Sequence, residues 1–175
     1  MIILFARHGQ TAGNAMRIRV DGRFDEGLDV TGWRQAEELA KNVPGDIDVV
    51  ISSRLLRTRQ TAQVVAGRLG KVIEVIPGFE ERDMGILSGT RNDDWPDELH
   101  EKDRAQQYDY RPFGGESAER VKVRLDKALE EVKERFVKKK VLIVTHVGII
   151  RLLRFLKNPD CDREVAHATY EEFEV

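Results

Sequence analysis

Two histidines, each placed directly after a short apolar run, are the residues best positioned for chemistry. His8 follows residues 2–6, with Arg7 between them, and His146 follows residues 141–145. Such runs of branched and aromatic residues predict buried strands. Because ligands of open α/β sheets bind at the carboxyl edge of the strands, we expect both imidazoles at that edge. Two strands that deliver histidines to one edge indicate a functional site and are hard to explain as packing.

Composition limits the partners of this site. The chain has 175 residues with a formal net charge of −2, which suits one domain (1–175) and provides no global basic field for nucleic acid. The single cysteine, Cys161, excludes an internal disulfide framework and suits a reducing compartment. The first apolar run is too short for a signal peptide or a membrane span. We therefore expect a cytoplasmic protein with neither nucleic-acid nor membrane partners.

Apolar runs alternate with amphipathic segments along most of the chain. This alternation predicts a three-layer α/β/α fold with a mostly parallel central sheet flanked by helices. Gly70 is expected to cap a helix over 55–69, and Thr31 to cap a helix ending near Val43. The remaining expected elements are strands at 2–6, 47–51, 72–76, 141–145 and 169–175 and helices at 117–136 and 149–156.

The segment 78–115 breaks the alternation. It is rich in glycine and proline and contains one expected short helix, at about 97–107. A long insertion of this kind in a compact domain is usually functional, so we expect a lid or a substrate-binding segment. The final strand, 169–175, is expected at a sheet edge, where it could pair with a second copy to form a homodimer.

Several blocks of the chain, in order, resemble those of the histidine phosphatase superfamily, which includes phosphoglycerate mutases and many small phosphatases. The resemblance is to the phosphatase branch and runs over nearly the whole chain. The matching blocks are Arg7-His8-Gly9, Asn14, residues 28–36, residues 53–62 with Arg57, residues 79–85 with Glu81, residues 114–117, and residues 145–148 with His146.

The resemblance implies a catalytic set. His8 would be the nucleophile and form a phosphohistidine, and Glu81 would protonate the leaving oxygen and then activate water. Arg7, Arg57 and His146 would neutralise the phosphoryl oxygens, because guanidinium forks match phosphate oxygens in pairs. We expect the other ring nitrogen of His8 to donate to a nearby carbonyl, and Glu81 to be partly desolvated. The phosphate site is expected to comprise Arg7, Gly9, Asn14, Gly22, Arg57, His146 and Val147.

Each assignment has a simpler alternative. His146 could be a core histidine bonded to a carbonyl, and Arg57 an exposed helix arginine. Glu80 stands beside Glu81 and could share its role. Asp29 replaces the threonine frequent in the family, and it could either discourage strongly anionic substrates or cap a turn.

No cofactor and no metal is expected. The remaining two histidines, His100 and His167, have no partner at ligand spacing, and the chain has no H-E-x-x-H motif.

The leading hypothesis is therefore a metal-independent phosphomonoester hydrolase acting on a small phosphorylated metabolite. The alternative is a phosphoglycerate mutase, which would move a phosphoryl group between hydroxyls of one small acid. Acidic side chains outnumber basic ones over 86–113, which favours the hydrolase. A phosphate-binding protein without turnover is a third hypothesis, disfavoured because binding alone needs neither a nucleophile nor an acid.

Overall fold

Four parallel strands and one antiparallel edge strand form the central sheet, in the order β3-β2-β4-β1-β5. The computed structural model describes residues 1–159 and 163–175, so Cys161 lies outside the described residues. The sheet confirms the expected fold class and the expected final edge strand, which pairs antiparallel with β1. The strands are β1 (Ile2–Arg7), β2 (Val49–Ser52), β3 (Ile73–Val75), β4 (Val141–Thr145) and β5 (Tyr170–Glu174).

Helices cover both faces of this sheet. The described helices are α1 (Ala12–Ala15), α2 (Val30–Asn42), α3 (Leu56–Leu69), α4 (Asp97–Arg104), α5 (Ala118–Arg135) and α6 (Val147–Lys157). None of these described helices is long and apolar enough to cross a membrane.

Alternation along the strands separates two hydrophobic cores. In β1, Ile3 and Phe5 pack into the core under α5 and α6, whereas Leu4 and Ala6 pack into the core under α2 and α3. Successive strand side chains point to opposite faces, so a strand buried on both faces reads as a continuous apolar run. This is why apolar and polar residues do not alternate in residues 2–6 and 141–145.

The helix ends show one correct and one wrong prediction. Gly70 adopts the left-handed conformation expected of a C-cap, with φ of 64°. The cap of α2, however, is Asp29 and not Thr31: its carboxylate accepts from the Gly32 N–H at 2.7 Å. Aspartate and threonine are both common N-cap residues, so residue type does not decide between Asp29 and Thr31. The apolar periodicity does not decide either, because it does not show at which of these residues the helix begins. The carboxylate of Asp29 therefore has a structural function.

The inserted segment contains no described strand. It comprises α4 and three short 3-10 turns, Gly85–Leu87, Asn92–Asp94 and Arg111–Phe113. Helix α4 ends three residues before the predicted position at 107. The segment is packed and not loose, since Trp95, Tyr108 and Tyr110 belong to the core that lies under α5 and α6.

Strand pairing brings the two histidine segments together. β1 and β4 are neighbouring parallel strands with Arg7 opposite Thr145, so the next residue of each strand is a histidine. The main chain continues the ladder at this point, because the His8 N–H donates to the Thr145 carbonyl at 3.0 Å. The fold therefore fixes His8 and His146 side by side at the carboxyl edge.

Candidate active site

His8 is buried and held in one tautomer. Its Nδ1 lies 2.7 Å from the Gly9 carbonyl oxygen, which can only accept, so Nδ1 carries the proton. Burial lowers the pKa of His8 well below its usual value, and the charges of Arg57 and Arg7 lower it further. The ring is consequently neutral near pH 7, with Nε2 unprotonated. That is the state that a nitrogen nucleophile requires.

His146 lies next to His8, with ring centres 5.2 Å apart. Its Nε2 is 2.9 Å from the Ser53 hydroxyl, which itself contacts the Thr58 hydroxyl at 2.7 Å. Its Nδ1 is buried and has no hydrogen-bond partner among the described residues. Burial lowers the pKa of His146, with further contributions from Arg57 and His8. His146 is therefore not the carbonyl-bonded core histidine of the simpler interpretation.

Arg7 extends from the end of β1 toward the C-terminal segment. Its Nη1 donates to the Val165 carbonyl at 2.6 Å, and its Nη2 lies 3.0 Å from Nε2 of His167. Its Nε is buried without a partner among the described residues. Burial lowers the pKa of Arg7 to about 10, so the guanidinium keeps its charge at neutral pH. The Arg7 Nε–H is thus a buried donor that no described residue uses.

Arg57 is fully buried in α3, which excludes the exposed-arginine interpretation. Its two terminal nitrogens donate to the carbonyls of Phe24 and Asp21, each at 2.9 Å. Its Nε has no partner within the described part of the chain. Two backbone carbonyls hold the guanidinium without neutralising its charge.

The two neighbouring glutamates lie in different environments. Glu81 is buried, and its two carboxylate oxygens accept from the N–H groups of Arg82 and Gly148, each at 2.9 Å. Glu80 instead contacts Arg54 and the Gly78 N–H, at 2.9 and 2.7 Å. Glu81 lines a cavity next to the two histidines, whereas Glu80 does not. The structure therefore places Glu81, and not Glu80, where an acid could reach a ligand.

Two glycines expected at the phosphate site use their N–H groups on other parts of the protein. The Gly9 N–H donates to the Thr61 hydroxyl at 3.0 Å, and the Gly22 N–H donates to the Arg82 carbonyl at 3.0 Å. Both glycines fix the backbone around the site. Asn14 and Val147 do line the cavity. The Asn14 amide also completes the capping box of α1 with Thr11, which orients it.

A cavity of about 260 Å³ adjoins the two histidines. His8, Arg57 and His146 are not part of its wall, but His8 lies 5.7 Å, ring to ring, from the lining residue His167. The cavity is lined by Arg7, Asn14, Arg17, Ile18, Arg19, Val20, Glu81, Arg82, Met84, Asn92, Val147 and His167.

His167 is a site residue that the sequence analysis missed. Its Nδ1 lies 3.2 Å from the His8 carbonyl oxygen and therefore donates, which leaves Nε2 to accept from Arg7. Burial and the charge of Arg7 lower the pKa of His167 to about 4, so the ring is neutral. The sequence predicts the final strand but not its partner. In the structure β5 pairs with β1, with Tyr170 opposite Ala6, and this pairing brings the residues before β5 beside Arg7.

These side chains define a class of protein. Arg7 and Arg57 each have a buried Nε, and His146 a buried Nδ1, without a partner among the described residues. Both guanidinium charges act on the neutral His8 at the sheet edge, and the His146 ring lies beside it. Buried donors without partners are costly, so such a cluster favours an anionic ligand. No group of three or more metal-ligating side chains occurs in residues 1–159 and 163–175. The class is an α/β protein with buried, unpaired nitrogens of two arginines and a histidine at the carboxyl edge of its sheet.

The chain belongs to the histidine phosphatase superfamily, branch 1, whose family model matches residues 3–160. This result confirms the family and the kind of enzyme that the sequence blocks predict. Both phosphatases and mutases occur among the chain's relatives.

Three similar proteins illustrate this range. A protein of Photorhabdus laumondii named "Probable phosphoglycerate mutase GpmB" is 36% identical, over 82% of this chain and 68% of its own. A "Metal-independent phosphoserine phosphatase" of Arabidopsis thaliana is 32% identical, over 86% and 66%. The solved structure of a mycobacterial glucosyl-3-phosphoglycerate phosphatase with VO3 is 25% identical, with a TM-score of 0.86 over 98% of this chain and 91% of that one.

Proposed function

We propose that this protein is a metal-independent phosphomonoester hydrolase that works through a phosphohistidine on His8. The supporting observation is the hydrogen bond from Nδ1 of His8 to the Gly9 carbonyl. It leaves Nε2 as an unprotonated nucleophile in a shell of buried donors. A phosphate-binding protein would need the donors but not the nucleophile.

The first half-reaction transfers the phosphoryl group to the enzyme. The lone pair of Nε2 attacks phosphorus while the bond from phosphorus to the ester oxygen breaks. Glu81, protonated when the substrate binds, gives its proton to the leaving alkoxide. Arg7, Arg57 and His146 offset the charge on the three equatorial oxygens, because phosphoryl transfer depends mainly on positioning and charge stabilisation.

The second half-reaction regenerates the enzyme. Glu81, now a carboxylate, takes a proton from water, and the resulting oxygen attacks phosphorus. The P–N bond breaks, its electron pair returns to Nε2, and inorganic phosphate leaves. One carboxylate can act first as acid and then as base because it is protonated again at the end of each cycle.

When the ring is neutral, His146 can donate to the phosphoryl group in only one tautomer. If the Ser53 hydroxyl donates to Nε2, the ring proton lies on Nδ1, the buried nitrogen without a partner. This arrangement presents Nδ1–H to an oxygen of the ligand. Ser53 and Thr58 then act as positioning residues behind the histidine.

The experiment compares two adjacent glutamates in a hydrolysis assay. The protein is incubated with p-nitrophenyl phosphate and a chelator, and phosphate release is measured for the native chain and for His8→Ala, Glu81→Gln and Glu80→Gln. We expect loss of activity in His8→Ala and a large fall in Glu81→Gln. Glu80→Gln, which removes a charge of the same sign one residue away, should retain activity. Full activity in His8→Ala would reject the mechanism.

A mutase is the second candidate, supported by the 36% identical relative with that name. In a mutase the phosphoryl group on His8 would pass to another hydroxyl and not to water. Incubation of 3-phosphoglycerate with a trace of 2,3-bisphosphoglycerate separates the two functions. The isomer indicates a mutase and free phosphate indicates a hydrolase. Phosphate binding measured by calorimetry, with no turnover of any ester, would instead indicate a binding protein.

The proposed substrate is a small phosphorylated metabolite in the cytoplasm. A cavity of about 260 Å³ suits a small ester. A single cysteine in the whole chain agrees with a reducing compartment. Strand β5 lies at the edge of the sheet, where a second copy could pair with it to form a homodimer.

A further inference from the structure

A second cavity, of about 650 Å³, lies apart from the one beside the histidines. Its wall is formed by residues 106–111 of the inserted segment, by the first turns of α5 and by the last turns of α6. Among the described residues, none belongs to the walls of both cavities. A volume of this size is sufficient for a small organic molecule.

Gln106 provides a buried hydrogen-bond acceptor at this wall. The residue is only 7% exposed, and its Nε2 donates to the Asp103 carbonyl at 2.9 Å. Because that carbonyl can only accept, the orientation of the Gln106 amide is fixed. Its Oε1 is buried and has no hydrogen-bond partner among the described residues. A buried acceptor without a partner at a cavity wall favours a ligand that supplies an N–H or O–H group.

The backbone at Gln106 is also unusual. Its φ of 52° lies in the left-handed region, and a residue in this position after a helix is usually glycine. The N–H groups of Gln106 and Gln107 donate to the Asp103 and Lys102 carbonyls, at 3.3 and 2.8 Å, and so close the end of α4. Glycine would be less strained here, but it has no side chain to reach the cavity. The helix end alone therefore does not explain the glutamine.

The first turn of α5 offers a place for a negative charge. Residues 117–120 all line the cavity, and the positive end of a helix dipole favours an anion. The other two basic residues of the wall, Arg111 and Lys122, each pair with a carboxylate at 2.7 Å. Arg120 forms no ion pair within the described part of the chain. Its guanidinium is therefore the cation that a ligand carboxylate could bind.

The side of the cavity formed by α6 is apolar. Leu152, Phe155 and Leu156 line it, and Leu156 is 48% exposed. An apolar group of a ligand would remove this surface from water. Glu119 also lines the cavity, and it forms no ion pair with any described residue. The wall thus combines an apolar surface with a free cation, a free carboxylate and a buried amide oxygen.

We infer that this second cavity binds a free α-amino acid with an apolar side chain. The ligand carboxylate would bind Arg120 and the first turn of α5. The ammonium group would donate to Oε1 of Gln106 and to Glu119, and the side chain would pack on α6. The inference does not depend on the proposed function, since no residue of the catalytic cavity takes part.

The test compares ligands that share a phenyl group. L-Phenylalanine is titrated into the native chain by calorimetry beside 3-phenylpropanoate, which lacks the ammonium group, and 2-phenylethylamine, which lacks the carboxylate. Inorganic phosphate in excess competes for the catalytic cavity. We expect L-phenylalanine to bind at least about tenfold more tightly than either analogue, because each analogue loses a charged hydrogen bond.

L-Leucine and L-methionine, titrated in the same way, cover other shapes of the apolar side chain. Binding of at least one of the three amino acids is expected. Absence of binding by all three overturns the inference. So does an affinity of either phenyl analogue that equals that of L-phenylalanine.

Gln106→Gly separates binding from folding. It removes the amide acceptor and relieves the left-handed backbone, so affinity for L-phenylalanine should fall at least about tenfold while Tm changes little. Lys138→Gly is the matched control, because Lys138 is exposed, has a φ of 59° and does not line the cavity. It should leave the affinity unchanged. Unchanged affinity in Gln106→Gly overturns the inference.

A second variant keeps the inference testable if Gln106→Gly folds poorly. Arg120→Gln removes an exposed charge from α5 and should weaken binding of L-phenylalanine by about tenfold. Binding of 2-phenylethylamine, which has no carboxylate, should change by less than about threefold. An equal loss for both ligands would show that Arg120 does not bind the carboxylate and overturns the assignment.

Discussion

The imidazole rings of His8 and His146 lie 5.2 Å apart, with their planes inclined by 60°. Each ring uses one nitrogen on the protein: Nδ1 of His8 on the Gly9 carbonyl, and Nε2 of His146 on the Ser53 hydroxyl. The opposite nitrogen of each ring is left for a ligand. If the Ser53 hydroxyl donates to Nε2 of His146, the His8 ring offers an electron pair and the His146 ring offers a proton.

Removal of the His146 donor should slow the chemical step. We expect His146→Asn to lower kcat for p-nitrophenyl phosphate by about 100- to 1000-fold, the usual cost of losing one preorganised donor. Ser53→Ala should cost less, because it removes only the group that orients the ring. Steady-state kinetics of both variants test this order. A larger loss in Ser53→Ala would show that His146 is not the group that donates to the phosphoryl oxygen.

Phosphate binding should take up a proton. Burial lowers the pKa of both His8 and His146 below 6.5, so both rings are neutral at pH 7 without ligand. A bound dianion favours the charged form of a neighbouring imidazole and raises its pKa. Calorimetry of phosphate binding in buffers of different ionisation enthalpy should therefore show proton uptake. The uptake should fall in His146→Asn, and uptake of the same size in that variant would contradict the assignment.

The protein should lose stability as the pH falls below about 6.5, because three of its histidines are held neutral in the folded state. The pKa of His167 is lowered to about 4, and the pKa values of His8 and His146 are also lowered, whereas the unfolded chain titrates near 6.5. The unfolded state therefore binds more protons below about pH 6.5, and the free energy of unfolding falls as pH falls. The slope is at most about 1.4 kcal/mol per pH unit for each histidine.

Denaturant unfolding of the native chain between pH 7 and pH 5 measures this slope. His167→Gln should reduce it, because the glutamine does not titrate. A slope of zero over that interval would show that these rings are protonated in the folded state.

A methyl group at Gly148 should displace the acid. A Cβ atom there would collide with the Glu81 carboxylate and with the Arg82 guanidinium. We expect Gly148→Ala to lower kcat for p-nitrophenyl phosphate by at least tenfold. The matched control is Gly67→Ala in α3, where a Cβ meets nothing within 4 Å. Since alanine favours a helix over glycine, that variant should remain active and gain up to about 1 kcal/mol of stability.

The buried ion pair of the inserted segment should carry much of that segment's stability. Asp103 pairs with Arg82 at 2.7 Å and accepts from the Tyr110 hydroxyl at 2.7 Å. Asp103→Ala removes the nearer of the two carboxylates that pair with the fully buried Arg82 guanidinium, and breaking a buried ion pair typically costs about 3–5 kcal/mol. Thermal unfolding should show a large fall in Tm. Asp109→Ala, which breaks the exposed pair with Arg111, should change Tm little.

Local patterns predicted most of the fold. The strands 2–6 and 141–145 are continuous apolar runs because both of their faces are buried, and Gly70 ends α3 because it adopts a positive φ. The inserted segment was less predictable. Its 3-10 turns lack a hydrophobic period, and its core residues Trp95 and Tyr110 are buried by long-range packing.

The sequence by itself predicted much of the candidate site, since His8, Glu81 and Arg57 stand in segments whose order identifies the family, but it did not indicate His167. Only the tertiary structure decided which atoms remain free: Glu80 binds Arg54, the Gly9 and Gly22 N–H groups are occupied, and His167 lies beside His8. The reason is physical. Residue type and spacing follow from the chain alone, whereas burial and hydrogen-bond pairing depend on neighbours that are far away in sequence.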